Sequence, residues 1–171
     1  IEKKKINGVY YNNIFHDIGT NKFFIKTNAL IDNNLTRPAA FLDRDGVINH
    51  HENYIFKMED FFLRTGVIKG LKLLQKKKFY IFIVTNQAGI AKKKFSLKDF
   101  VNFQKHLLFE LSKHKIYIND TKFCPHHPNA SINKLKLNCD CRKPNTKMFK
   151  ELVNFWPINS QKSIMIGDKM T

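Results

Sequence analysis

Three short apolar runs, each followed at once by a residue that could take part in chemistry, constrain the fold of this chain most. The runs are Ala39–Leu42, Phe79–Val84 and Ser163–Ile166, and the residues that follow them are Asp43, Thr85 and Gly167–Asp168. Apolar runs without polar alternation are typical of strands covered on both faces, as in a parallel sheet. We therefore predict parallel strands whose carboxyl ends carry Asp43, Thr85 and Asp168 at one edge of the sheet.

Amphipathic stretches between these runs predict the helices of the same domain. From Gly66 to Lys77, apolar residues recur at helical spacing and lead directly into the second run. The segment Ser96–Asp99 resembles a capping box. It opens a stretch with one apolar stripe, formed by Phe100, Phe103, Leu107 and Leu111. Strands that alternate with helices imply right-handed crossovers, so we predict a three-layer α/β domain around a Rossmann-like parallel sheet.

The paired carboxylates of Asp43 and Asp45 are the first chemical signal. In such folds ligands bind beyond the carboxyl ends of the strands, and Gly46 relieves the turn that follows. Two carboxylates this close repel each other unless a cation lies between them, and Mg²⁺ prefers carboxylate oxygen. One aspartate could then attack phosphorus while the other handles a proton. The pair alone is equally consistent with a polar turn.

The other strand ends add groups that suit a phosphoryl ligand. Thr85-Asn86-Gln87 offers a hydroxyl and backbone N–H groups, and Arg142-Lys143 offers two cations. Such groups stabilise the charge on a transferring phosphoryl group. Gly167-Asp168-Lys169 supplies a third carboxylate for the metal. Together with the aspartate pair, these groups predict phosphoester hydrolysis.

The three cysteines and a nearby histidine predict a second, structural metal site. Cys124-x-His126 and Cys139-x-Cys141 provide three thiolates and an imidazole, a set that suits tetrahedral Zn²⁺. The ion would hold the polar loop between the two pairs and would fix the cations that follow it. His127 is a competing ligand, and three unrelated thiols beside a surface histidine are the alternative.

From Pro38 to Thr171 the chain resembles the haloacid dehalogenase superfamily of aspartate-nucleophile phosphatases. The four motifs of that superfamily are matched by Phe41–Gly46, Val84–Gln87, Arg142–Pro144 and Gly167–Lys169. Two further stretches, Thr85–Ala91 and Cys124–Pro128, are similar to the D-glycero-D-manno-heptose 1,7-bisphosphate phosphatases, and next to the histidinol-phosphate phosphatases. The resemblance implies the haloacid dehalogenase fold with little or no cap and a zinc-binding loop, and it favours His126 over His127 as the ligand.

The resemblance also implies roles for individual residues. Asp43 would be the nucleophile and Asp45 the general acid and base, and Mg²⁺ would be held by Asp43, the Asp45 main-chain carbonyl and Asp168. Thr85 and Lys143 would stabilise the phosphoryl group, and Arg142 would recognise the substrate. The remaining expected substrate contacts are His51, Glu52, Asn53, Tyr54, Asn86, Gln87, Ala88 and Lys169. In this reading the loop 51–54 takes the place of the large cap of other relatives.

The expected reaction is hydrolysis of the 7-phosphate of a heptose 1,7-bisphosphate through an aspartyl-phosphate, in the synthesis of nucleotide-activated heptose for surface polysaccharide. Histidinol phosphate is an alternative substrate. A polynucleotide 3′-phosphatase is another alternative, favoured by the T-N-Q segment and the charge, although the zinc loop argues against it. A zinc-stabilised fragment that binds a phosphosugar without turnover is the non-enzymatic alternative.

Residues 1–35 differ in character from the phosphatase-like region 36–171. The stretch Phe15–Thr20 contains D-I-G-T and resembles the end of sugar-1-phosphate nucleotidyltransferases, while an arbitrary polar extension is the alternative. The chain ends directly after the fourth motif, so we expect a phosphatase domain truncated at its C-terminus, from a larger bifunctional protein. A guanylyltransferase partner would favour the α anomer of the heptose.

The formal net charge of +16 suggests an anionic partner. Because the lysines are scattered along the chain, we expect a small phosphorylated sugar and disfavour nucleic acid. No apolar run approaches the ~20 residues needed to cross a bilayer, and no signal peptide is evident. We therefore expect a cytoplasmic protein without membrane contact, as a monomer or as part of the larger chain.

Overall fold

The computed structural model of the chain describes residues 20, 36–50 and 54–168. In the unit Thr36–Thr171, four parallel strands form one sheet in the order β3-β2-β1-β4. The strands are β1 (Ala39–Leu42), β2 (Tyr80–Asn86), β3 (Asp120–Cys124) and β4 (Ile164–Ile166). The strand order reverses between β1 and β4, which is the kind of switch point at which ligands bind in open α/β sheets.

The helices cover both faces of the sheet at β1 and β2 and confirm the predicted three layers, whereas the edge strand β4 is exposed. They are α1 (Val67–Lys76), α2 (Ala88–Ala91), α3 (Leu97–Lys113) and α4 (Lys147–Phe155), with short 3₁₀ turns at Met58–Asp60, Asn133–Leu135 and Ser160–Lys162. Helices α1 and α3 bury Leu71 and Leu107 in one cluster with Leu42 of β1. On the opposite face, α4 buries Met148 and Leu152 in a second cluster.

The start of α3 follows the predicted capping box. The hydroxyl of Ser96 accepts a hydrogen bond from the N–H of Asp99 (3.1 Å), and the Asp99 carboxylate accepts one from the N–H of Ser96 (2.8 Å). These bonds satisfy two backbone donors that a helix otherwise leaves unpaired. The predicted stripe of Phe100, Phe103, Leu107 and Leu111 is buried throughout, so one face of α3 is fixed against the core.

The segment between β1 and α1 confirms that the fold has little or no cap. Its described residues contain the 3₁₀ turn Met58–Asp60 and isolated bridges at Asn49, rather than a separate subdomain. The sequence analysis did not predict β3 and α4. Among the described residues, no helix combines the length and apolar character needed to span a membrane.

Candidate active site and metal centre

Asp43 lies directly after β1, at the carboxyl edge of the sheet. Its N–H donates to the carbonyl of Ile166 (2.9 Å), which joins the ends of β1 and β4. Its Oδ1 accepts from the N–H of Arg44 (2.8 Å), and its Oδ2 lies 2.6 Å from Nζ of Lys143. The carboxylate is half-buried, so a ligand can reach it while its orientation is fixed by two contacts.

Asp45 occupies a different environment from Asp43. Its two carboxylate oxygens accept from Nε and Nη2 of Arg44, each at 2.9 Å. Asn49 donates to Oδ1 (3.1 Å) and Gln87 donates to Oδ2 (2.9 Å). Arg44 is only 1% exposed, and its guanidinium lies 4.8 Å from the ring centroid of Phe103. The bidentate pair therefore closes one side of the site.

The surroundings of Asp45 decide its charge state. Burial is the largest influence and would raise the pKa of this carboxyl, because a charge is costly to desolvate. The charge of Arg44 and the hydrogen bonds from Arg44, Asn49 and Gln87 together outweigh burial, so the pKa is lowered from its usual value. Asp45 is therefore a carboxylate in this conformation, the form that can accept a proton.

Thr85 and Gln87 connect the end of β2 to this network. Thr85 is fully buried, and its hydroxyl accepts a hydrogen bond from Nε2 of Gln87 (2.9 Å). The side-chain oxygen Oε1 of Gln87 accepts from Nη2 of Arg44 (3.2 Å). Gln87 thus links Thr85, Arg44 and Asp45 through one side chain. The next residue, Ala88, begins α2.

Asn86 contacts the main chain of Lys143 with both ends of its amide. Its Oδ1 accepts from the N–H of Lys143 (3.0 Å), and its Nδ2 donates to the Lys143 carbonyl (3.1 Å). Arg142, the preceding residue, is half-buried and donates to the carbonyl of His126 (3.4 Å). The two predicted cations are thus attached to β2 on one side and to the cysteine loop on the other.

Asp168 lies close to the turn that follows the aspartate pair. A Cβ placed on Gly46 would be 2.5 Å from Oδ2 of Asp168, and Gly46 has a φ of +82°. The Asp168 carboxylate therefore occupies space that only glycine leaves open at this turn. The carboxylates of Asp43 and Asp168 are hard donors of the kind that Mg²⁺ prefers, so the residues fit this ion.

The predicted zinc ligands form one cluster. The donor atoms of Cys124, His126, Cys139 and Cys141 all lie within 4.8 Å of one another. The sulfur of Cys141 is 3.1 Å from that of Cys124 and 3.2 Å from Nδ1 of His126. Zn–S bonds of about 2.3 Å imply sulfur atoms roughly 3.8 Å apart. A small outward movement of the thiols would therefore seat a tetrahedral ion.

The thiols of this cluster influence one another. Burial, and then hydrogen bonding to the other two sulfurs, raises the pKa of Cys124. Burial also raises the pKa of Cys141. At Cys139 burial acts in the same direction, but sulfur and backbone hydrogen bonds outweigh it and lower the pKa. A metal ion that favours thiolates would displace the protons of these thiols, although their pKa values are shifted in different directions.

Some predicted contacts lie outside the described residues. These are His51, Glu52, Asn53 and Lys169, together with the N-terminal segment that resembles a nucleotidyltransferase. Tyr54 is described: its hydroxyl accepts from Nζ of Lys92 (3.3 Å), and its ring lies 6.5 Å from that of Phe95. These contacts place Tyr54 beside the end of α2.

Asn49 is a residue of the site that the sequence analysis missed. It is fully buried, and its side chain donates to Asp45 and to the carbonyl of His50 (2.7 Å). The N–H groups of Ile48 and Asn49 both donate to the carbonyl of Arg44 (2.9 and 3.2 Å), so the turn folds back over Asp45. No spacing rule pointed to Asn49, because residues 45–49 form a turn and an isolated bridge rather than a helix.

The sequence is similar to known phosphatases. The sequence profile of the polynucleotide kinase 3 phosphatase family matches residues 39–171. The D-glycero-beta-D-manno-heptose-1,7-bisphosphate 7-phosphatase of Rhodopseudomonas palustris is 38% identical over 132 residues, which cover 77% of this chain and 73% of the relative.

Two solved structures resemble the fold. One, from Mesorhizobium loti and described as a HAD-like phosphatase, has a TM-score of 0.75 at 28% identity, covering 79% of this chain and 65% of its own. The D,D-heptose 1,7-bisphosphate phosphatase from B. bronchiseptica, complexed with magnesium and phosphate, has a TM-score of 0.59 at 22% identity. That match covers 71% of this chain and 63% of its own. The present chain thus spans just under two thirds of these two structures.

Proposed function

The chain belongs to the polynucleotide kinase 3 phosphatase family of haloacid dehalogenase-type phosphatases, and from that premise we propose that it removes the 7-phosphate of D-glycero-D-manno-heptose 1,7-bisphosphate. The observation that carries the proposal is the 2.6 Å ion pair between Asp43 and Lys143 at the carboxyl edge of the sheet. It occurs in a chain 38% identical to a relative named for this reaction. A nucleophile next to a phosphate-binding cation is what the chemistry requires.

In the first step of the proposed reaction, a carboxylate oxygen of Asp43 attacks phosphorus. A new O–P bond forms while the bond from phosphorus to the sugar oxygen breaks, and the electron pair stays on that oxygen. The sugar oxygen takes a proton from the Asp45 carboxyl, which keeps the proton taken from water in the preceding turnover even though its contacts with Arg44, Asn49 and Gln87 lower its pKa. Lys143 and the Thr85 hydroxyl stabilise the equatorial phosphoryl oxygens.

In the second step, the Asp45 carboxylate accepts a proton from water while the water oxygen attacks phosphorus. The O–P bond to Asp43 breaks, which restores the Asp43 carboxylate and releases inorganic phosphate. Asp45 is left protonated for the next substrate. The contacts of Asp45 with Arg44 and Gln87 support the second step, because they hold the group as an anion facing one direction.

Two metal ions belong to this proposal. Asp43, the main-chain carbonyl of Asp45 and Asp168 would hold Mg²⁺, which neutralises charge on the phosphoryl group when it is bound. Zn²⁺ would be bound by Cys124, His126, Cys139 and Cys141 and would be structural. The Arg142 bond to the carbonyl of His126 supports a link between the zinc loop and the phosphate-binding cations.

The substrate would be recognised around this centre. Arg142 would contact it, together with His51, Glu52, Asn53, Tyr54, Ala88 and Lys169. Gln87 is 3% exposed, and its amide already bonds to Arg44, Asp45 and Thr85. We assign the reaction to cytoplasmic synthesis of nucleotide-activated heptose for surface polysaccharide. Residues 1–35 would be the end of a nucleotidyltransferase, and residues 36–171 would be the phosphatase part of a bifunctional chain.

A second candidate function is a polynucleotide 3′-phosphatase. The description of the matching family and the net charge of +16 favour it. DNA carries one negative charge per ~1.7 Å, so a strongly basic chain would bind it in a salt-dependent way. Histidinol phosphate is a third substrate to test, on the resemblance of Thr85–Ala91.

The test is phosphate release with Mg²⁺, comparing the chain with its Asp43→Asn variant. The substrates are both anomers of the heptose bisphosphate, histidinol phosphate and a 3′-phosphorylated oligonucleotide. We expect turnover of the heptose, with loss of at least ~10³-fold in the variant. Asp120→Asn, at the amino end of β3, is the matched control and should retain activity.

The choice of substrate decides among the candidates. Preference for the β anomer would agree with the named relatives, and preference for the α anomer would support a guanylyltransferase partner. Hydrolysis of the oligonucleotide alone would mean that the substrate is a nucleic acid and not a sugar phosphate. No turnover by a folded sample loaded with both metals would contradict the enzymatic proposal and favour a phosphosugar-binding fragment.

A further inference from the structure

Both ends of the Asn86 amide bond to the main chain of a residue 57 positions away. The amide accepts from the N–H of Lys143 at 3.0 Å and donates to the Lys143 carbonyl at 3.1 Å. Two bonds from one planar group to both polar atoms of one residue fix the position and the direction of that residue's backbone. A single bond would leave rotation about its axis free.

Asn86 is itself held rigidly. It is the last residue of β2 and pairs in register with Cys124 of β3. The next residue, Gln87, donates its N–H to the Cys124 carbonyl at 2.7 Å. The Asn86 side chain therefore projects from a strand end that is fixed by sheet hydrogen bonds.

The bonds from Asn86 also affect the candidate nucleophile Asp43, because Lys143 forms an ion pair with it. The Lys143 side chain has four rotatable methylene groups, and its ammonium lies 2.6 Å from Oδ2 of Asp43. The ammonium of such a flexible side chain can keep one position only if the main chain of the lysine is fixed. The loop that carries Lys143 belongs to neither a helix nor a strand, so Asn86 provides this constraint from the sheet.

We propose that Asn86 is a positioning residue, which directs the Lys143 ammonium to the phosphoryl group rather than contacting the substrate. The proposal rests on the proposed function, because it presupposes that phosphate is bound between Asp43 and Lys143. It differs from the expectation drawn from sequence resemblance, which made Asn86 a substrate contact. Both hydrogen-bonding ends of its amide are already used by Lys143.

A double-mutant cycle separates the two roles. The variants are Asn86→Ala, Lys143→Ala and the pair, with kcat and KM measured for the heptose bisphosphate. We expect Asn86→Ala to lower kcat by about 10²-fold with little change in KM, since a misplacement of about 1 Å has that effect. In the Lys143→Ala background the same substitution should cause no further loss, because the two residues act as one unit.

A second readout does not depend on the sugar. Binding of orthovanadate, an analogue of the transferring phosphoryl group in the transition state, is measured by calorimetry in the presence of Mg²⁺ for the same four proteins. The Asn86→Ala and Lys143→Ala variants should weaken binding by similar factors, and the pair should be no weaker than Lys143→Ala alone. If the wild type does not hydrolyse the heptose, the proposed function is wrong, and this cycle still decides the role of Asn86.

The matched control is Asn119→Ala. Asn119 accepts from the N–H of Ile81 (2.8 Å), so it also joins a side-chain amide to a main chain, at the opposite end of β2. This control should retain the wild-type kcat. Asn86→Asp keeps the acceptor for the Lys143 N–H but turns an oxygen instead of a donor toward the Lys143 carbonyl, so it provides a second folded variant that should lose kcat as Asn86→Ala does. Additive losses in either cycle, or a rise in KM as the main effect of Asn86→Ala, would overturn the proposal.

Discussion

Arg44 explains how two carboxylates can lie two residues apart at one strand end. The sequence analysis expected a bound cation to relieve their repulsion. In the structure each carboxylate already faces its own basic side chain, Asp43 facing Lys143 and Asp45 facing the buried Arg44. Breaking a buried ion pair leaves an uncompensated charge and is costly. The two aspartates can therefore take different roles because their partners differ.

Gly46 is the residue whose replacement tests the magnesium site most directly. Gly46→Ala should lower the affinity for Mg²⁺, because the new Cβ would lie 2.5 Å from Oδ2 of Asp168 and would displace that carboxylate. A positive φ adds a further cost of roughly 1–2 kcal/mol for any L side chain. The measurement is the Mg²⁺ concentration that gives half-maximal phosphate release, which we expect to rise about tenfold or more, since it tracks the loss of one hard ligand.

Gly66→Ala is the control for the backbone effect alone. Gly66 has a φ of +84°, close to that of Gly46, and a Cβ there would meet nothing within 4 Å. Both variants should lose similar stability from the strained φ, whereas only Gly46→Ala should alter the Mg²⁺ requirement. Equal Mg²⁺ requirements in the two variants would argue against Asp168 as a ligand.

Whole elements were predictable where their hydrophobic pattern was strong. The apolar runs identified β1, β2 and β4, and the spacing of apolar residues identified α1 and α3. Strand β3 was missed because Asp120–Cys124 has a polar first half and is mostly half-buried. Helix α4 buries only Met148 and Leu152, and the described structure gives it no side-chain cap that a sequence could reveal.

The candidate site, like the elements, could be predicted only in part. Strand ends could be inferred from sequence, because parallel strands bring their carboxyl ends to one edge. Partners within the site could not, since they depend on how loops fold back. The two hydrogen bonds between Asn86 and Lys143 join residues 57 positions apart. The hydrogen bond from Asn49 to Asp45 depends on a local turn.

The loop between β3 and α4 allows a sharp test of the zinc ligands. His126→Ala should abolish the expected zinc binding, because Nδ1 of His126 lies 3.2 Å from the sulfur of Cys141. Without the ion, hydrogen exchange in residues 125–142 should speed up, since structural zinc supplies much of the order of such loops. Metal content per chain and amide exchange are the two measurements.

His127→Ala is the adjacent control. Nδ1 of His127 accepts from the N–H of Asn129 (3.0 Å) instead of facing the sulfur atoms. This variant should retain one zinc per chain and normal exchange in the loop. Loss of zinc from His127→Ala with retention in His126→Ala would reverse the assignment.

At the scale of the whole molecule, the positive charge is distributed over both edges of the sheet. Lys76–Lys78 lies at the end of α1, shortly before β2, at the amino edge, and Lys92–Lys94 follows α2 at the carboxyl edge. The seven residues of β2 separate these edges by about 23 Å, at ~3.3 Å per residue. That distance exceeds the Debye length of about 8 Å at physiological salt. The two lysine groups should therefore act independently on a ligand at Asp43.

Replacing each lysine group by glutamine tests whether local charge or total charge attracts the substrate. The Lys92–Lys94 variant should have a higher KM for the bisphosphate and a weaker decrease of kcat/KM with ionic strength, because it removes three cations beside the site. The Lys76–Lys78 variant loses the same net charge. Each variant also replaces one lysine whose φ is positive, Lys78 in one and Lys93 in the other. The Lys76–Lys78 variant should behave as the wild type. Equal changes in both variants would mean that the overall charge of +16, rather than its placement, governs substrate capture.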